Sequence, residues 1–224
     1  MLSDKEIEIV NNIYNYWFEG DLTINYKTKW FPSGNIDIQH KADCYIYKQY
    51  NDIFNKAING SLNHWKTASK KSMLALILVF DQFSRHIYRY MELNLTDPRR
   101  IIADQYGLLC AEELHQTATS TVGDTSSGVS STLNNYINNN NNSNNNAPIS
   151  NLNTSELIFS MLPYRHSATV SRLEYVMHVI EDKEQGLTHD ASLLNKFRKQ
   201  TVRRLQHLQD RDKVGVYVYI CVTV

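Results

Sequence analysis

One segment constrains this chain more than any other: MLALILVF at Met73–Phe80 runs straight into DQFSRHIYRY at Asp81–Tyr90. An unbroken apolar run has no solvent-facing side, so its whole circumference must be covered by other parts of the protein. It is also far shorter than the ~20 residues a membrane-spanning helix needs. Its continuation carries Asp81, Gln82, Arg85, His86 and Arg89. On a wheel of about 100° per residue, Arg85, Tyr88, Arg89 and Glu92 fall within about 80° of Asp81, and Phe83, Ile87 and Tyr90 fall opposite. Leu74 and Leu78 share the polar bearing. A helix over roughly Lys70–Met91 whose polar face gives way to leucine is covered at one end and uncovered at the other. The charges therefore begin at the rim or floor of a cleft.

Two readings of that face stay open. In the structural one, Asp81–Arg85 and Arg85 with Arg89 or Glu92 form an intrahelical ladder, worth only a few tenths of a kcal/mol per exposed pair. In the functional one, Asp81, Gln82, Arg85, Tyr88 and Arg89 line the cleft. The forked guanidinium groups then receive an anion or a peptide carboxylate, and Asp81 orients one of them. His86 sits at the edge of this face and reads as a bystander. A second polar knot is Pro163-Tyr164-Arg165-His166-Ser167. Ser167 there reads as the N-cap of the following helix. His166 is the alternative, a general acid or base if the fold carries it to the arginines.

The rest of the chain reads as helices and breaks. Ser3 and Glu6 stand at capping-box spacing before Ile7, Val10, Ile13, Tyr14 and Trp17, and Gly20 ends that helix. Residues 21–38 read as a loop. A second helix is predicted from about His40 to Asn59, and Asp97-Pro98 starts another that runs to about His115. SELIFSML reads as a short helix cut by Pro163. One helix follows from Ser167 to Gly186, and a last one starts near Asp190. Residues 117–154, ending in an Asn tract, bury too little to offset their chain entropy and read as a disordered insertion. The tail VYVYICVTV is β-prone and apolar, an atypical segment over 213–224. The expectation is a single all-α domain over 1–212 with about seven helices in a helix-hairpin stack.

Composition narrows the function classes. Lys and Arg total 23 and Asp and Glu total 23. That balance argues against a nucleic-acid binder driven by bulk charge, although Lys196, Arg198, Lys199, Arg203, Arg204 and Arg211 give the last helix a basic face. Three separated cysteines without a C-x-x-C, and a start lacking a basic-then-apolar leader, fit a cytoplasmic protein. His40, Asp43 and Cys44, and Glu112-x-x-His115, are fragments of metal patterns without a complete ligand set, and no metal or other cofactor is implied.

Taken together, Trp17-Phe18, Trp30, Asp43, Trp65, LALILVFDQFSRHIYR, Asp97 and LPYRHS resemble a helical family catalogued as domain of unknown function 924. Its signature is close to L-A-L-I, then D-Q-F-P-R-N-x-Y-R, and later P-x-x-H-S-E. The resemblance spans roughly residues 10–211 and implies an all-α, tetratricopeptide-like fold with no established activity. It places the family's recurrent polar positions at Asp81, Gln82, Arg85, Tyr88, Arg89, His166 and Ser167. Ser84 stands where Pro is usual, His86 where Asn is usual, and Ala168 where Glu is usual. A closing F-G-R-F-P-x-R-N segment common among members has no counterpart here. The leading expectation is a soluble binding or scaffold module whose cleft takes an anionic small molecule or acidic peptide. The alternatives are an enzyme using His166 as acid/base with Arg85 and Arg89 as an anion clamp, and an RNA-associated module acting through the last helix.

Overall fold

The computed structural model describes residues 1–32, 35–93, 97–119, 152–167, 169–184 and 191–222, with side chains described except at 117–119, 191 and 212–222. The order is α1 (Asp4–Phe18), α2 (Leu22–Asn25), a π-helical turn Tyr26–Trp30, α3 (Ile36–Ile58), α4 (Trp65–Ala68) and α5 (Lys70–Ile77). A π-helical stretch Leu78–Phe83 and α6 (Ser84–Tyr90) follow, then α7 (Pro98–Thr119), α8 (Thr154–Ser167), α9 (Val170–Glu184) and α10 (Ala191–Val222). There is no strand among the described residues, and the fold is all-α.

The apolar run is the axis of the molecule. α5, the π stretch and α6 form one rod, and every residue of Met73–Ser84 is buried. α1 and α7 pack along α5, α3 and α7 along the π stretch, and α3 along α6. α8 then joins α7 to α9 and α10. Trp17 and Phe83 meet edge-on at 5.4 Å, Trp17 and Phe159 at 5.3 Å, and Tyr50 stacks on Phe83 at 4.8 Å. These rings tie α1, α3 and α8 to the rod, each adding to its area burial. α7 comes closest at Gly107, where a Cβ would lie 3.3 Å from Phe80 Cβ and 3.6 Å from the Asp81 amide nitrogen. The glycine lets α7 sit directly on the π stretch.

Helix starts follow local chemistry. Ser3 and Glu6 form the expected capping box, and Asp97 accepts from Arg99 N at 2.9 Å at the start of α7. α5 begins with Ser69 and Ser72 in reciprocal bonds. α8 begins with Asn153 and Glu156 in the same arrangement, and the buried Glu156 also accepts from Tyr14 OH at 2.7 Å. Gly20, at φ 97, turns the chain out of α1.

Several expectations are corrected. Residues 21–38 are largely helical rather than a loop. Asp21 caps α2 by accepting from Thr23 N and Ile24 N, Trp30 is buried with its indole N–H on the Trp17 carbonyl, and Asn35 caps α3 four residues ahead of the predicted start. The helix ahead of the polar knot is not cut at Pro163. α8 continues to Ser167, leaving the Phe159 carbonyl without the donor that proline lacks. Ser167 is therefore not an N-cap. It lies in the last turn of α8, its hydroxyl donating to the Tyr164 carbonyl at 2.6 Å, and α9 starts three residues later. The predicted insertion is trimmed at both edges: α7 reaches Thr119, and Leu152 is buried in the core. Residues 120–151 lie outside the described residues, as do Gly186 and Asp190. The β-prone tail continues α10 as helix to Val222.

His115 is buried on α7 and faces away from any metal pattern. Ser160 spends its hydroxyl hydrogen on the Leu157 carbonyl, so His115 Nε2–H donates to Ser160 Oγ at 3.0 Å and Nδ1 accepts from Tyr175 OH at 3.4 Å. A neutral ring is fully used, and burial pushes its pKa down to about 4. Below its ordinary pKa the unfolded chain takes up a proton that the folded one refuses, so stability falls with pH across that window. Urea unfolding is expected to lose about 2 kcal/mol from this residue between pH 7 and pH 5. His115→Gln should flatten that slope by the same amount, the remainder belonging to other histidines.

Candidate functional site

The π stretch sets the site. Ser84 N–H reaches back to the Val79 carbonyl, five residues before it, so the Phe80 carbonyl is passed over and taken instead by Ser84 Oγ at 2.6 Å. Each π-helical residue turns the chain through a smaller angle than an α-helical one, and α6 therefore leaves the stretch rotated relative to a regular wheel. The predicted polar face is redistributed as a result. Asp81 and Arg85 stay together, at 3.3 Å, but Arg85 also reaches Asp104 of α7 at 2.8 Å. Arg89 turns to α3, where its Nε and Nη2 meet Asp43 at 3.1 and 2.9 Å. Tyr88 turns inward against Phe54; it is 2 % exposed, and its hydroxyl has no hydrogen-bond partner. Tyr88 is core, not cleft.

Two buried carboxylates organise what remains. Asp81, 1 % exposed, accepts from His166 Nδ1 at 2.7 Å, from Arg85 and from Gln82 Nε2. Burial alone would raise its pKa; the charge and hydrogen bond of His166, then Arg85 and Gln82, outweigh that and hold it at about 2. Asp43, 4 % exposed, accepts from His86 Nδ1 at 2.6 Å, from both Arg89 nitrogens and from Gln39 Nε2 at 2.9 Å. Burial again opposes ionisation, and His86 and Arg89 win, leaving its pKa below the ordinary value. His86 is thus no bystander. Its ring is buried against Trp17, which pushes its own pKa down and keeps it a neutral donor. Each carboxylate holds one histidine and one arginine.

Between them lies a cavity of about 360 Å³. Its apolar lining is Trp30, Phe31, Pro32 and Leu162, and its polar lining includes Gln82, Arg85, Arg89, Arg165 and His166. His166 is committed through Nδ1, so Nε2 is the ring nitrogen left without a partner among the described residues. Arg165 differs from its neighbours. It sits over the Phe197 ring at 5.8 Å and makes no salt bridge among the described residues; its Nε is buried with no acceptor, as is that of Arg85, so the missing salt bridge is what sets it apart. Burial, then the charge of Arg204, push its pKa down.

The fold brings Asp81, Gln82, Arg85, Arg89 and His166 to one place, and leaves Tyr88 and Ser167 out of it. Sequence reasoning missed Asp104, whose link to Arg85 exists only across two helices. It weighed Asp43 as a metal fragment and as one position of the family resemblance, never as a partner of Arg89, and gave Arg165 no role although it stands beside His166. The basic residues of α10 are dispersed: Arg198 meets Glu181 at 3.8 Å and Glu184 at 3.3 Å, and Lys196 lies over Tyr26. Glu112 pairs with Arg172 rather than sharing a ligand set with His115.

Two substitutions separate support from site. Tyr88→Phe removes a hydroxyl without a partner, so urea unfolding is expected to show no loss, or a gain of up to about 1 kcal/mol. Asp43→Asn weakens the charge-assisted bonds from His86 and from the half-exposed Arg89 and is expected to cost about 2 kcal/mol in the same measurement.

No curated protein and no solved structure matches the chain. The family described as bacterial protein of unknown function (DUF924) matches over residues 13–211, a span that runs from within α1 to within α10 and includes both carboxylate clusters. The chain belongs to that family.

Proposed function

We propose that this protein is a cytoplasmic binding module whose cavity takes a small organic anion. The observation that carries this reading is Arg165: a guanidinium on the cavity wall with no salt bridge among the described residues, while Arg85 and Arg89 are each held by aspartates. Asp81 and Asp43 then serve to fix the geometry of the basic wall, and Arg165 supplies the attraction. The apolar wall of Trp30, Phe31 and Leu162 suits the carbon body of such a ligand. A volume near the lower end of ligand sites, about 300 Å³ upward, favours a small molecule over an acidic peptide. A helix-hairpin superhelix of the tetratricopeptide kind is part of the same proposal, supported by the packing of α7 on α8, α8 on α9 and α9 on α10.

A second reading is favoured by one specific observation. An ionised, buried Asp81 on Nδ1 of His166 fixes the ring and its tautomer and leaves Nε2 as a proton acceptor at the cavity, which is how an acid–base enzyme positions its histidine. The dispersal of charge on α10 gives an RNA-associated role no comparable support.

Thermal-shift measurements with a panel of small carboxylates and phosphate esters test both readings. The expected result is a compound that raises the melting temperature of the wild type, raises that of Arg165→Ala far less, and still stabilises His166→Gln. Equal stabilisation of wild type and Arg165→Ala would sink the binding reading. Turnover of the same compound, lost in His166→Gln, would establish the second reading over the first.

A further inference from the structure

Resting on that reading, we infer that the anion's head group is doubly charged, of the phosphomonoester class, and bridges Arg165 of α8 and Arg204 of α10. The geometry is that of one helix face. Phe197, Gln200 and Arg204 follow one another at one-turn spacing along α10, which packs on α8. Phe197 carries the Arg165 guanidinium on its ring, and Gln200 is part of the cavity wall. Arg204, one turn beyond Gln200, is only partly exposed and, like Arg165, has a buried Nε without an acceptor.

The charge of Asp81 is felt at Arg165, but the nearby acids are paired with other residues. Asp81 and Asp104 are held by Arg85, and Asp43 is held by Arg89 and His86. Neither Arg165 nor Arg204 has a salt bridge among the described residues, and each repels the other. Two like charges sharing a half-buried junction are unfavourable in the empty protein unless an anion joins them. A monocarboxylate engages one guanidinium fork. A phosphoryl group has three outer oxygens and about two negative charges, enough to accept from both forks at once. His166 Nε2 stands on the same wall, available as a further donor when protonated.

Inorganic phosphate is the probe. Its dissociation constant is measured by isothermal titration against the wild type, Arg165→Gln, Arg204→Gln and Arg204→Lys at constant ionic strength, with sodium acetate as the monoanion. The expected result is binding of phosphate by the wild type, weakened about ten-fold or more in each Gln variant, with acetate much weaker throughout. Arg204→Gln is also expected to match or exceed the wild-type melting temperature without phosphate, because it removes a repulsion. Arg204→Lys, which keeps the charge but not the fork, should fall between and serves if the Gln variant does not fold. Phosphate binding unchanged in Arg204→Gln but lost in Arg165→Gln would overturn the bridge and leave the anion-binding reading standing. Acetate binding as tightly as phosphate would overturn the doubly charged head group alone. Phosphate binding indifferent to both substitutions would overturn both.

Discussion

A carboxylate taken out of water costs several kcal/mol unless donors replace its hydration. Asp81 recovers them from three directions: His166 at the end of α8, Arg85 one turn along its own rod, and Gln82 beside it. Arg85 passes the connection on to Asp104 in α7. The central rod, α7 and α8 are therefore positioned around one buried negative charge, and the cavity takes its polar wall from the same residues. Asp43 repeats the arrangement between α3 and α6, with His86 and Arg89 in the corresponding roles. Removing Asp43 would leave an arginine and a histidine to find new partners; removing Asp81 would strand His166, while Arg85 would keep Asp104.

The division of labour among the arginines follows from this. A guanidinium held by carboxylates is a structural element, because its charge is already matched. Arg85, between Asp81 and Asp104, and Arg89, on Asp43, are of that kind. Arg165 is different because it makes no salt bridge among the described residues, although the charge of Asp81 is felt there, and its ring contact with Phe197 holds the group without neutralising it. Membership of a family whose function is unknown supplies no activity to set beside this; what favours a bound anion is where charge is matched and where it is not.

Much of the fold was legible in the sequence because its signals are local. The capping box at Ser3, the Asp97-Pro98 start and the all-apolar run each act through residues within a turn or two of one another. Residues 21–38 misled because Pro32 and Gly34 suggest a break, whereas Asp21 and Asn35 cap helices on either side of Trp30. Pro163 misled for the opposite reason: a helix buried without a break over Thr154–Tyr164 tolerates one missing donor in its interior. The site was legible as a set of residues but not as a set of bonds. A wheel places Asp81, Arg85 and Arg89 together, and cannot foresee that Arg89 answers to Asp43 on another helix, or that Tyr88 on the same bearing is roofed over by the core.

The π stretch at Leu78–Phe83 gives the rod a property that a regular helix lacks. It is a place where one residue's worth of turn is absorbed, so that the leucines before it and the charges after it keep separate phases. Loss of a single residue within the stretch would swing Arg85, His86 and Arg89 about the axis while leaving Leu74–Ile77 seated where they are. The hydrophobic anchor and the polar arm are in that sense independently adjustable parts of one continuous helix, and descent with change in one need not disturb the other.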